Sequence, residues 1–241
     1  MLHQIIQVLS IALQSISEIW KKDVWIYVLL SGCLAMLLFA IVIALGYFGM
    51  GHFSVLLASW IPITWTYETT LYTVLLTIAW IIICLLVFKY LLLITLSPLL
   101  SFISEKIEKS YSHKIQGTTG VNIMNSAIRA VRINGRNIIK EITISILLFL
   151  LSFILGLQVV TVPLLFMVQT YFLGFGFMDF YLERHHSFSQ TIPVVYKNKW
   201  AAIGIGSIFS VLFAIPIFGM ILAPYVATVS ATLYFIKSGL K

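Results

Sequence analysis

Residues 1–20 place Leu2, Ile5, Ile6, Leu9, Leu13, Ile16 and Trp20 at helical spacing, with Gln4, Gln7, Ser10, Gln14 and Ser17 on much of the other face. That pattern predicts an amphipathic helix lying in a membrane interface, its stripe blurred only by Val8 and Ile11. Lys21, Lys22 and Asp23 end it, so the interfacial element is 1–23. Residues 24–48 carry no charge and predict a first membrane span. The 50–70 loop, with Trp60, Trp65 and Tyr67, has the composition of a headgroup boundary. Residues 71–96 form a second span with Lys89 near its end, and the helix is expected to run on through Pro98 to Glu108, out of the lipid. Residues 97–141 are the one sizeable polar segment, which Gly117–Gly120 should divide into two short cytoplasmic helices.

Two proline-marked apolar blocks follow, 142–182 and 201–236, separated by the polar stretch 183–199. Each is too long for one crossing and barely long enough for two, because a span needs about 20 residues at 1.5 Å rise. Pro216 and Pro224 should break the second block into arms of about 20–22 Å, which enter the bilayer and turn back. Backbone bending at membrane depth survives only where protein or a water-filled cavity satisfies it, and such broken helices build solute sites in transporters. The expected fold is therefore an all-α integral membrane protein in a single domain, 1–241. It has two long transmembrane helices, two re-entrant or short helical hairpins and the N-terminal interfacial helix.

Composition agrees: 61% of residues are hydrophobic and 10% charged, and the mean hydropathy is +1.05. No secretory leader is expected, since no early basic region precedes a short apolar run and a cleavage site. Lysines and arginines number two in 1–23, none in 50–70, seven in 97–141, three in 183–200 and two in 237–241. Only the 50–70 loop should then face outside, with the N-terminus and the hairpin openings in the cytoplasm. The formal charge of +7 fits this retention and contact with anionic lipid better than it fits nucleic acid. Cys33 and Cys84 both sit in apolar segments, with no metal or disulfide spacing.

Chemistry-bearing residues are few. His185-His186 lacks any accompanying carboxylate motif, so interfacial polarity outweighs a metal site. Gly174, Gly176, Gly204 and Gly206 match no nucleotide loop and suit close helix packing. No nucleophile motif is present and no cofactor is implied, so nothing argues for an enzyme. Asp179 lies in an apolar stretch, where an ionisable group either has a partner and a water path or snorkels to the surface. Arg129, Arg132, Arg136 and Lys140 form one basic stripe, either a lipid-headgroup contact or an anion funnel. Glu105 and Glu108 are either a solvated face or, through Glu105, a partner of that stripe at a pore mouth. Lys21 and Lys22 are either a positive-inside anchor or an oxyanion site.

At these residues the chain resembles a known family. Ser97-Pro98 through Ser104-Glu105-Lys106-Ile107-Glu108 resembles the segment after the second span of the CysZ-type sulfate permeases, which group with the etoposide-induced protein 2.4. Phe177-Met178-Asp179-Phe180-Tyr181 with Ser187-Phe188 is similar to that family's Asp-Tyr and Ser-Phe elements. Ile215-Pro216, Pro224 and Ala231-Thr232-Leu233 resemble its C-terminal hairpin. The resemblance implies partly penetrating hairpins, a homo-oligomer and passive sulfate entry through a bacterial inner membrane, feeding cysteine biosynthesis. Where those permeases carry a Gly-Leu-Arg-Arg-like element, this chain has Ile19-Trp20-Lys21-Lys22. Lysine holds an anion as a point charge without the bidentate fork of arginine. It also has Phe218-Gly219 where a polar residue is expected.

The sequence thus predicts an oxyanion channel, sulfate being the leading solute. Trp20, Lys21 and Lys22 would bind the anion, and Glu105, Arg129, Arg132 and Asp179 would form a lining or gating network. The other function it accommodates is a non-transporting membrane scaffold with the same fold.

Overall fold

The structure, a computed structural model, describes residues 2–21, 25–58, 66–111, 123–152, 154, 156–215 and 218–239. Among these residues there are eight helices and no strand: α1 (Leu2–Lys21), α2 (Trp25–Ala58), α3 (Thr66–Tyr111), α4 (Ile123–Ser152), α5 (Gln158–Leu182), α6 (Phe188–Lys197), α7 (Lys199–Phe213) and α8 (Phe218–Ser238). Four stretches are long and apolar enough to cross a membrane: Trp25–Gly49, Phe88–Tyr111, Gln158–Leu182 and Ile221–Ser238.

Helix α1 turns its apolar stripe outward. Leu9, Leu13 and Ile16 are exposed. The stripe-blurring Val8 and Ile11 are the residues that pack on the protein, together with Ala12, Ser15 and Glu18. Helices α2 and α3 pair antiparallel, Tyr27 against Phe102 and Phe39 against Phe88, with Trp80 Nε1 donating to the Gly46 carbonyl at 2.8 Å. As expected, α3 continues through Pro98. Leu92, Leu96, Leu100, Ile103 and Ile107 form a fully buried stripe along it.

Two expectations need correction. The polar segment 97–141 does not form two short helices: its first half is the end of α3, and its second is the start of the unbroken 30-residue α4. Gly117–Gly120 lies outside the described residues. Pro224 does not break the last block, because it sits inside α8, which starts at Phe218 and runs 21 residues, about 31 Å. Helix α7, with 15 residues, is the short arm, at about 22 Å. A proline in the first turns of a helix removes a single interior hydrogen bond, and an apolar surrounding favours continuing the helix over exposing more backbone. Pro163 in α5 sits likewise near the helix start, while Pro193 lies in the middle of the short α6.

The glycines do serve close packing. A Cβ on Gly174 would lie 1.9 Å from the Ala202 carbonyl oxygen, and one on Gly206 1.9 Å from that of Thr170. Helices α5 and α7 therefore touch backbone to backbone, antiparallel. The second half of α5 is buried on every side, from Phe172 to Leu182, against α3, α4, α7 and α8. Gly156, at φ +89°, turns the chain between α4 and α5.

Candidate functional site

The last turn of α5 and the residues after it carry Asp179, Glu183, Arg184 and His185. Because α5 is central, these groups are delivered into protein rather than solvent. Arg129 on α4 meets Asp179 with two guanidinium nitrogens, Nη2 to Oδ1 at 2.7 Å and Nε to Oδ2 at 3.1 Å. Its remaining bonds go to the His186 carbonyl through Nη1 and to Thr191 Oγ1 through Nη2, both at 2.7 Å. Asp179 is 3% exposed. The forked geometry is the one in which a buried arginine–carboxylate pair retains enough bonds to offset its lost hydration. Helix α6 holds its end in place: Gln190 Oε1 accepts from the Ser187 backbone N–H at 3.0 Å, and Thr191 Oγ1 donates to the Ser187 carbonyl at 3.2 Å.

A second ion pair adjoins the first. Arg184 donates through Nε to Glu108 Oε2 at 3.0 Å, and through Nη2 to Ser104 Oγ at 2.7 Å. Its Nη1 donates to the Phe180 carbonyl at 2.6 Å. His185 Nε2 lies 2.6 Å from the other Glu108 oxygen, and Ser104 Oγ lies 2.8 Å from Thr232 Oγ1 of α8. Between the two pairs, Glu183 accepts from Ser126 Oγ at 3.3 Å. Burial, reinforced by the charge of Asp179, holds the Glu183 carboxyl above the usual glutamate range. Burial first, and then the neighbouring His185 and Arg129, hold the His186 imidazole below the usual histidine range.

Of the residues the sequence singles out, Arg129 and Asp179 come together. Glu105 does not join them: it is buried and pairs along its own helix with Lys109, 2.5 Å away. Its neighbour Glu108 reaches an arginine instead, and that arginine is Arg184 rather than a member of the stripe. The stripe itself is divided by burial. Arg129 points in, Arg132 is exposed over the Phe188 ring at 4.5 Å, and Arg136 lies over Phe175 at 5.4 Å. The side chains of Trp20 and Lys21, and all of Lys22, lie outside the described residues. One turn earlier, Glu18 is buried and accepts from Tyr111 Oη at 2.8 Å. Gln14 in turn bonds Tyr111 at 3.1 Å and Lys237 at 2.5 Å, tying α1 to the ends of α3 and α8.

Apart from the ionic network, an aromatic chain crosses the core. Phe39, Phe88, Phe213, Phe209, Phe177 and Phe180 make successive ring contacts at 5.0–6.2 Å. Sequence reading missed Arg184, Ser104, Thr191 and Thr232 as members of the network. Their signals were present, since Ser104 and Thr232 lie in the segments that carry the family resemblance and Arg184 follows Asp179 by five positions.

An all-helical membrane protein with a buried, fork-paired ionic network at the end of a central helix is the class this fold and site define. Over residues 11–224 the chain matches the family described as sulfate transporter CysZ/etoposide-induced protein 2.4, and it belongs to that family. No curated protein matches the chain.

Proposed function

We propose that the chain is a membrane channel or permease for an oxyanion, sulfate first, working in a bacterial inner membrane with its N-terminus in the cytoplasm. The observation that carries this reading is spatial. Three sequence segments, around Ser104–Glu108, Asp179–Ser187 and Thr232, meet in one buried ionic network although they are some 50–130 positions apart. Buried ionisable groups in a membrane protein mark solute paths by default. In this reading Arg129, Asp179, Arg184 and Glu108 line the inner end of the route. The phenylalanine chain forms an apolar constriction beyond them, the kind that gates by dewetting. Trp20, Lys21 and Lys22 collect the anion, with Arg132 exposed on the same protein. A homo-oligomer and contact with anionic lipid complete the proposal, and sulfur assimilation into cysteine is its place in the cell.

One observation favours the second reading, a scaffold that moves no solute. Arg129 and Arg184 are each matched to a carboxylate, so neither offers an uncompensated charge to an anion in this conformation. A deletion strain separates the two. Lost growth on sulfate that cysteine restores supports the permease, and unchanged growth on sulfate supports the scaffold.

A further inference from the structure

A third ionic cluster lies away from the network just described. Glu141 of α4 is 2% exposed, and Lys89 Nζ of α3 donates to its Oε1 at 2.5 Å. Tyr90 Oη donates to the other oxygen, Oε2. The surroundings are apolar: Phe88 and Leu92 are fully buried beside it, and the Phe88 ring lies 5.2 Å from Phe39 and 5.6 Å from Phe213. Phe39 is 14 positions after Trp25, near the middle of the 25-residue apolar stretch Trp25–Gly49. Phe213 ends α7, so the end of that helix sits at this level. The cluster therefore lies beside the aromatic chain, level with the middle of Trp25–Gly49 and with the end of α7.

A buried ion pair contributes little net stability compared with apolar side chains of the same volume, so stability does not explain its presence there. Its geometry is more specific. An ammonium and a phenol, consecutive on one helix, converge on the two oxygens of a single oxyanion, and that oxyanion is the protein's own.

We propose that Lys89 and Tyr90 form an interior oxyanion-binding site on the translocation route, occupied at rest by the Glu141 carboxylate as a built-in competitor. The inference rests on the permease reading and deepens it. A tetrahedral oxyanion reaching this cluster accepts the N–H and O–H bonds that Glu141 now accepts. Two anions cannot share one ammonium in that apolar setting, so Glu141 releases before the solute binds. The site then passes its occupant on when the carboxylate returns, which keeps binding weak enough for flow.

The test uses the full chain, with equilibrium binding of radiolabelled sulfate in detergent and flux in proteoliposomes. Glu141→Gln removes the competitor and should bind sulfate about tenfold more tightly than wild type, with slower flux. The charge-neutral pair Lys89→Met/Glu141→Leu keeps the helices packed, so it should elute as a folded protein and lose at least about tenfold in flux. If wild type carries sulfate while Glu141→Gln binds it no better, or the double variant carries it normally, the interior site is wrong and the permease stands. If wild type neither binds nor carries sulfate, the permease reading fails and takes the interior site with it.

Discussion

Replacing Asp179 by alanine leaves the Arg129 guanidinium, whose side chain is 16% exposed, without its carboxylate. Bonds to the His186 carbonyl and Thr191 remain, but both partners are neutral. Breaking one side of a buried ion pair costs about 3–5 kcal/mol, because the surviving charge stays desolvated. For a chain of this size, each kcal/mol moves Tm by about 2–4 °C, so Asp179→Ala should melt roughly 10 °C below wild type. Replacing both partners, Arg129→Met with Asp179→Leu, removes the stranded charge and should recover most of that loss. Thermal unfolding of detergent-solubilised protein, followed by the monodisperse fraction left after heating, reads both values. A single variant within about 2 °C of wild type, or a double variant no better than the single one, would refute a desolvated pair.

The remaining expectations concern packing and protonation. Gly174→Ala places a methyl 1.9 Å from the Ala202 carbonyl oxygen and should cost about 1–3 kcal/mol as α5 and α7 separate. By contrast, Gly135→Ala meets no atom within 4 Å on α4 and should stabilise by about 0.5–1 kcal/mol through helix propensity. Equal melting temperatures for these two would count against the backbone contact. Burial raises the Glu183 carboxyl, so the folded state disfavours its charge. Stability is then lost as pH rises above the ordinary glutamate value of about 4.3, and it stays lost at neutrality. Glu183→Gln should therefore melt above wild type at pH 7, with the gap closing below about pH 4. A gap that widens on acidification would reverse the sign of this argument.

Much of the architecture was legible because lipid makes the code simple. Charge-free runs marked α2 and most of α3, the Gln-and-Ser face of residues 1–17 marked α1, and paired glycines marked close packing. Helix ends were harder to read. Pro224 is a breaker by propensity in water, yet it lies within α8, where an apolar surrounding leaves the backbone no better partner than its own helix. The run-on of α3 past Pro98 was legible, because Ile103 and Ile107 continue the buried stripe of Leu92, Leu96 and Leu100 through the polar run 101–111.

The candidate site was legible only in part. Asp179 was conspicuous because it is charged in an apolar run, and the structure gives it the partner that such a position requires. Its pairing with Arg129, 50 positions away, and that of Arg184 with Glu108, 76 positions away, follow from tertiary packing, which no local period encodes. Glu105 and Glu108 were equivalent as sequence. One turn of α3 sends the first to Lys109 and the second to Arg184. By sequence Lys89 marks only the polar end of a span, and only the fold brings Glu141 to it.

Radioactive sulfate flux into proteoliposomes, wild type against Lys21→Ala/Lys22→Ala, tests the central claim most directly. The account predicts wild-type uptake that other tetrahedral oxyanions compete with, reduced in the variant. No uptake by folded wild-type protein would contradict it, leaving a membrane protein of this family that carries no sulfate.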